Sequence, residues 1–161
     1  MKTRTEIPKS DPIIIMTRDY RAPRNLVWEA ITQPRHVQQW WGGPGFSNPV
    51  CEMDVRVGGH WHHVMRFPDG HELPMHFVFL EIEAPKRLVW QNAEHGTPVQ
   101  GPPTCVMHVT LEDLGAVTRW TLLARFESLD ARAEAMAIGF STPIEASSER
   151  LEAYLATQRA A

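Results

Sequence analysis

The sequence lacks the features of several large classes of protein. Cysteine occurs only twice, at Cys51 and Cys105, and both lie in apolar stretches, so the composition favours reduced thiols in a core over a disulfide framework. No apolar run approaches the roughly 18 residues that a membrane span needs. The N-terminal residues contain no apolar signal segment. We therefore expect a cytoplasmic protein that does not enter a membrane.

Charge of one sign is also scarce. The formal net charge is −3, and the 16 Lys and Arg residues are spread along the chain, so they form no basic stripe of the kind that nucleic-acid phosphates require. We expect no nucleic-acid partner. A chain of 161 residues can bury a core of its own without metal or disulfide. We predict a flexible polar tail over residues 1–11 and a single domain over residues 12–158.

Hydrophobic periodicity predicts an α+β fold. Residues 13–20 are predicted as a first strand, and two short helices follow over residues 23–32 and 34–41. The next predicted strands follow one another along the chain, at residues 50–57, 60–67, 73–83, 87–92, 105–112 and 117–126. The orientation of the 73–83 strand stays open because both of its faces are apolar. Residues 93–104, which contain three prolines, are predicted as an irregular loop.

The chain ends in a predicted long helix. Thr142 can cap it, Pro143 suits its first position, and Glu145 can close a capping box. Whether this helix is continuous with the preceding one, which Ser128 begins, stays open around residues 139–143. Its inward stripe has helical spacing: Ile144, Ser148, Leu151 and Leu155. Ser148 is small where a core helix usually has a large apolar residue, so the facing surface either approaches closely or leaves a space. We expect a space.

Sequential strands usually neighbour one another, so we predict a curved antiparallel sheet of about six to seven strands wrapped around the last helix. Thioether and aromatic side chains on its inward faces predict a pocket for a small apolar or aromatic ligand. The predicted lining is Trp41, Met53, Trp61, His63, Met65, His76, Met107, Trp120, Phe140, Ile144 and Ser148.

The sequence shows little catalytic chemistry. It contains no nucleophile elbow and no phosphate-binding loop. His63 and His76 are candidates for a general acid or base in the pocket, but each can equally be a ligand contact or a satisfied core histidine. We expect a binding protein rather than an enzyme. His60 and His62 share a strand face with no carboxylate beside them along that strand, so we expect no metal site and no cofactor.

Several segments together resemble the family called activator of heat-shock-protein-90 ATPase homologue, within the START-like, polyketide cyclase-like (SRPBCC) superfamily. The resemblance spans about residues 13–157. The segments that carry it are Arg21-Ala22-Pro23 through Trp28, Trp40-Trp41-Gly42, Phe46-Ser47-Asn48-Pro49, Val57-Gly58-Gly59 through Trp61, Met65-Arg66 through Gly70, Pro85 to Val89, Arg132 to Gly139, and Glu149-Arg150-Leu151 to Leu155.

This resemblance implies a helix-grip (START/Bet v 1-like) fold with a deep pocket between the sheet and the terminal helix. It implies no single activity. The sequence departs from the usual family pattern at Pro143-Ile144 and at Ser148, on the helix that would line the pocket, so no relative's ligand is transferred. Two alternatives stay open: a cyclase-, dehydratase- or hydrolase-like cavity enzyme that uses the pocket histidines, and a chaperone-partner module. A homodimer also stays open.

Overall fold

A computed structural model of the chain describes residues 2–92 and 105–160. Within these ranges the elements in chain order are β1 Arg4–Glu6, β2 Ile13–Tyr20, α1 Arg24–Thr32, α2 Pro34–Trp40, β3 Ser47–Met53, β4 His60–Arg66, β5 Glu72–Glu83, β6 Arg87–Asn92, β7 Cys105–Asp113, β8 Thr118–Phe126, α3 Leu129–Ala137 and α4 Ser141–Ala160. The predicted loop over residues 93–104 lies outside the described residues.

The eight strands form one curved, open antiparallel sheet in the order β1-β2-β8-β7-β6-β5-β4-β3. Strands β3 to β8 are a meander, and β2 pairs with β8. The predicted α+β fold is therefore confirmed, but the predicted strand count was too low. The additional strand is β1, in the segment predicted as a flexible tail: its exposed residues Arg4–Glu6 pair with residues 15–17 of β2. Main-chain pairing at a sheet edge needs no apolar side chains, so periodicity could not detect it.

The strand register shows on which face of the sheet each side chain lies, because two directly opposed residues of antiparallel strands point to the same face. Trp61 opposes Phe77, and Phe79 opposes Trp90, so these four side chains lie on the inner face of the sheet. Phe79 is fully buried. This register settles the orientation of β5, which the apolar sequence of both its faces left open.

The two C-terminal helices are separate. The Ser128 side chain caps α3 by accepting a hydrogen bond from the main-chain N–H of Ala131, as predicted. Gly139 then adopts a φ of +80°, a conformation that favours glycine and ends the helical path. Helix α4 begins at Ser141, one residue before the predicted cap. The Glu145 carboxylate accepts a hydrogen bond from the Thr5 hydroxyl at 3.4 Å.

Helix α4 packs its apolar stripe into the core. Leu151 and Leu155 are each 2% exposed and belong to the same buried cluster as the inner face of the sheet. Cys51 and Cys105 are both buried and free. Among the described residues, the helices lack the combination of length and apolarity that crossing a membrane requires.

Candidate functional site

One row of inward-facing side chains crosses the sheet near the end of β6. Met53 opposes Trp61, which opposes Phe77, and Phe77 opposes Asn92. The row continues on β7 and β8, where Cys105 opposes Phe126. The Asn92 side-chain oxygen joins the two halves by accepting a hydrogen bond from the main-chain N–H of Cys105 at 2.9 Å. We call this set (Met53, Trp61, Phe77, Asn92, Cys105 and Phe126) the inner row.

An aromatic cluster lies over one half of the inner row. The ring centroid of Trp41 is 5.1 Å from that of Trp61, 5.0 Å from that of His63 and 6.5 Å from that of Phe77. Trp61 and His63 are buried, whereas Trp41 and Phe77 are only partly buried. Aromatic surface that is only partly covered can contact a further planar or apolar group. We call these four residues the aromatic cluster.

His63 is held by hydrogen bonds at both ring nitrogens. Its Nε2 lies 2.8 Å from Oδ1 of Asn48, and Nε1–H of Trp61 donates to its Nδ1 at 3.3 Å. Because the indole can only donate, Nδ1 is the acceptor and the proton is on Nε2. The Asn48 side-chain amide in turn donates to the main-chain oxygens of Gln38 and Trp41, at 3.0 Å each. The imidazole therefore fixes the segment that carries the Trp41 ring.

This environment makes His63 a poor general acid or base. The ring is fully buried, and burial lowers its pKa to about 4, so it is neutral near pH 7. Protonation of Nδ1 would also place its N–H opposite the Nε1–H of Trp61, so two donors would face each other without an acceptor. Of the roles predicted for His63, the geometry matches the satisfied core histidine. Cys51, which opposes His63 on β3, is likewise unreactive, since burial raises the pKa of its thiol to about 11.

The loop between α2 and β3 is tied to α4. One terminal guanidinium nitrogen of Arg150 lies 3.1 to 3.4 Å from the main-chain oxygens of Trp41, Gly43 and Phe46. The main-chain N–H of Gly42 donates to the Ser147 hydroxyl at 2.8 Å. Helix α4 therefore holds the base of the Trp41 side chain from one side, and the His63–Asn48 pair holds it from the other.

The opposite end of the inner face is filled rather than hollow. Tyr20 is fully buried, and its ring makes an edge contact with Trp120 at 6.3 Å. Burial raises the pKa of the Tyr20 phenol, and the Ser148 hydroxyl beside it acts in the opposite direction. Ser148 also donates to the main-chain oxygen of Ile144 at 2.8 Å. The expectation of a space at Ser148 is therefore wrong. The small residue accommodates the close approach of a tyrosine.

A buried ion pair lies beside Tyr20. Arg18, on the inner face of β2 and opposite Trp120, has a side chain only 4% exposed. Its guanidinium forms an ion pair with Glu152 of α4, and it donates to the Thr3 hydroxyl at 3.0 Å. This pair joins the terminal helix to β2. The spacing of inward positions on β2 could have indicated Arg18, because it follows Ile14 and Met16 at period two.

The predicted pocket residues therefore separate into groups. Trp41, Met53, Trp61 and His63 lie at the inner row or its aromatic cluster, whereas Trp120 and Ser148 lie at the filled end. Met65 continues the inner face of β4 beyond His63, and Met107 opposes Trp90 on the inner face. Phe140 makes an edge contact with Phe126 at 5.3 Å, and Ile144 packs against the core one turn along α4.

His76 was placed wrongly. It opposes His62 on the outer face of the sheet, and its ring contacts His60 and His62 rather than the core. Apolar residues occur on both faces of β5, so its sequence shows no alternation of period two. Only the strand register shows on which face His76 lies.

Two grooves at the margins of the described structure have volumes of about 450 and 490 Å³. The first lies between β2 and α4 and includes Arg18 and Glu152, and the second lies near the β5–β6 turn and includes Lys86. Their linings include none of the predicted pocket residues. We take the inner row as the candidate site because its side chains Met53 and Phe77 are apolar, face inward and are only partly buried.

Comparison with known proteins agrees with this architecture. A crystal structure of a protein from Nitrosomonas europaea is 27% identical, covers 96% of this chain and 100% of its own, and has a TM-score of 0.86. A solution structure of a protein from Arthrobacter aurescens is 26% identical, covers 96% and 91% of the two chains, and also has a TM-score of 0.86. A third, from Silicibacter pomeroyi, is 18% identical over 91% and 99% of the chains with a TM-score of 0.70, and shows the fold alone.

No curated protein matches the chain. The family model described as "Activator of Hsp90 ATPase homolog 1-like protein" matches residues 21–156, which include both the aromatic cluster and most of α4. The chain therefore belongs to this family, and it has the helix-grip fold of the SRPBCC superfamily.

Proposed function

We propose that the protein binds a small apolar or aromatic molecule at the inner row, between the sheet and the α3–α4 junction. One observation carries the proposal. Large apolar side chains at this end are only partly buried although they face the inside of the sheet; they are Trp41, Met53, Phe77, Met107, Phe140 and Ile144. Partly covered apolar surface on an inward face is typical of a binding cleft.

The contrast with the rest of the inner face supports this location. Phe79 and Val109, farther from the inner row, are 0% and 2% exposed. Tyr20 at the filled end is also 0% exposed. At the inner row a ligand would complete the packing that the partly buried side chains leave incomplete.

The chemistry of the site favours binding over catalysis. Thioethers and aromatic rings adapt to the shape of an apolar ligand. The polar groups nearby are already engaged: His63 by Asn48 and Trp61, and Asn92 by the main chain of Cys105. A ligand here would be recognised chiefly by shape and by stacking on the Trp41 ring.

Titration with the fluorescent apolar dye anilinonaphthalene sulfonate tests the proposal. Wild-type protein is expected to bind one dye with a micromolar dissociation constant. Ile144→Trp, which fills the cleft from α4, should weaken binding at least tenfold. Leu114→Trp is the matched control, because Leu114 is 43% exposed in the β7–β8 turn, and it should leave binding unchanged.

Equal dye affinity in wild type and Ile144→Trp, with both variants folded, would contradict the cleft. Native mass spectrometry of the freshly purified chain is an independent test. A copurified small molecule in wild type that is absent from Ile144→Trp would support it.

A second candidate function rests on the outer surface. On and just after α3, three large apolar side chains are strongly exposed: Leu129 at 43%, Met136 at 42% and Ile138 at 67%. An exposed apolar patch is the feature expected of a chaperone-partner module. This function predicts that the wild-type chain stimulates the ATPase of an Hsp90-type chaperone, and that Ile138→Glu abolishes the stimulation while leaving dye binding intact.

A further inference from the structure

Three histidines meet on the outer face of the sheet. His60 and His62 alternate along β4, and His76 of β5 lies directly opposite His62. Nδ1 of His60 is 3.0 Å from Nε2 of His76, and the ring centroids of His62 and His76 are 5.7 Å apart. Spacing along β4 alone pairs His60 with His62. Across the strands His76 opposes His62 and lies diagonal to His60, and its ring contacts both.

We propose that His60 and His76 chelate a divalent copper ion through these two nitrogens. Metal–imidazole bonds are about 2.0–2.1 Å long, so two nitrogens 3.0 Å apart subtend an angle of roughly 90–97° at a shared metal. That angle is the one between neighbouring ligands of a square-planar or tetragonal site, which Cu²⁺ prefers. A tetrahedral Zn²⁺ ion would need the two nitrogens farther apart.

Binding of the ion would break the hydrogen bond between the two rings. The ring that donates this hydrogen bond moves its proton to its other nitrogen, so that each histidine directs a lone pair at the metal and keeps one proton on the remote ring nitrogen. Over residues 2–92 and 105–160 no group of three or more His, Cys, Asp or Glu side chains is arranged to hold a metal ion. From the described residues the proposed site therefore takes two nitrogens, those of His60 and His76.

The site is independent of the proposed ligand cleft. Trp61, between His60 and His62, points to the inner face, as does Phe77, next to His76. Side-chain changes at His60 and His76 therefore leave the inner row in place. Exposed His60 can be substituted without opening the core.

Calorimetric titration of the untagged chain with Cu²⁺ alone tests the proposal. Wild-type protein is expected to bind one equivalent, and His60→Gln and His76→Gln should each weaken binding at least tenfold, because either change removes the chelate. His71→Gln is the matched control: His71 is an exposed histidine of the β4–β5 hairpin, and its loss should change the affinity less than twofold. Far-ultraviolet circular dichroism checks that all variants are folded.

Electron paramagnetic resonance of the Cu²⁺-loaded protein gives a second readout. A tetragonal spectrum with two coupled nitrogens is expected in wild type and should be lost in both His60→Gln and His76→Gln. The proposal would be overturned if His71→Gln weakened binding as much as His76→Gln, if wild type took up no stoichiometric copper, or if the spectrum of His60→Gln equalled that of wild type.

Discussion

The imidazole of His63 and the side-chain amide of Asn48 form a hydrogen bond of 2.8 Å that joins strand β4 to the edge strand β3. The side-chain amide of Asn48 also donates a hydrogen bond to the main-chain oxygen of Trp41. A residue that sequence chemistry suggested as a catalyst therefore acts as a structural support. Its function is to hold the partly exposed aromatic ring of the proposed cleft.

Replacing His63 with Leu should destabilise the protein by about 2–4 kcal/mol. The change removes the donor to Asn48 and the acceptor for Trp61, and each unpaired buried polar group costs about 1–3 kcal/mol. Urea unfolding measures the loss. His71→Leu, at an exposed position, should stay within about 0.5 kcal/mol of wild type. Equal stability of His63→Leu and wild type would show that the network contributes nothing.

The free energy of unfolding should fall as pH drops from about 6.5 to 4. Burial lowers the pKa of His63 to about 4 from an ordinary value of 6.5, so within this window the unfolded chain binds the proton and the folded chain does not. The full effect is about 3 kcal/mol, reached below pH 4. Other groups also titrate there, so the measurement is the difference between wild type and His63→Gln, which keeps a donor but does not titrate. If the free energies of unfolding of wild type and His63→Gln changed with pH in parallel, the lowered pKa of His63 would be refuted.

Ser148→Leu distinguishes a filled interior from a hollow one. Because Tyr20 is fully buried and in contact with Ser148, a larger side chain should overpack the site and cost about 1–3 kcal/mol. Thermal unfolding measures the change. Ser148→Ala, which keeps the volume small, should cost about 1 kcal/mol or less. If Leu raised the unfolding temperature, it would be filling a void, and the packing described for this end would be incorrect.

Glu152→Gln should cost about 2–3 kcal/mol. Arg18 is 4% exposed, so removing its counter-charge leaves a buried guanidinium without a neutralising partner, while the 26% exposure of Glu152 moderates the effect. Glu72→Gln is the comparison, because it breaks an exposed ion pair with Arg66. The Glu72 side chain is 44% exposed and that of Arg66 49%, so the change should cost at most about 1 kcal/mol. Chemical denaturation of both variants makes the comparison. Similar losses in the two would contradict a special role for the buried pair.

The predictable parts of the fold are those that depend on local patterns. The alternation of residues along β4 correctly predicted that Trp61, His63 and Met65 face inward, because one face of that strand is buried. The Ser128 cap followed from the preference of a single residue, whereas continuity around residues 139–143 stayed open until the positive φ of Gly139 showed the break. Strand β1 was missed because its pairing with β2 leaves no periodic signal in its own sequence.

The candidate site was less predictable. Most of its apolar residues were assigned inward, but His76 was placed on the wrong face and the partner of Ser148 was unknown. Asn48 was not considered as a partner of His63, because 15 residues separate them and no periodic signal links them.

The sequence by itself determined the elements from β2 to α4, their order and the apolar stripe of α4, because these depend on propensities and spacings within short windows. Only the tertiary structure decided which side chains meet: Tyr20 with Ser148, Asn48 with His63, and His60 with His76. Such pairs depend on strand register and helix docking, in which a shift of one residue exchanges the inner and outer faces of a strand.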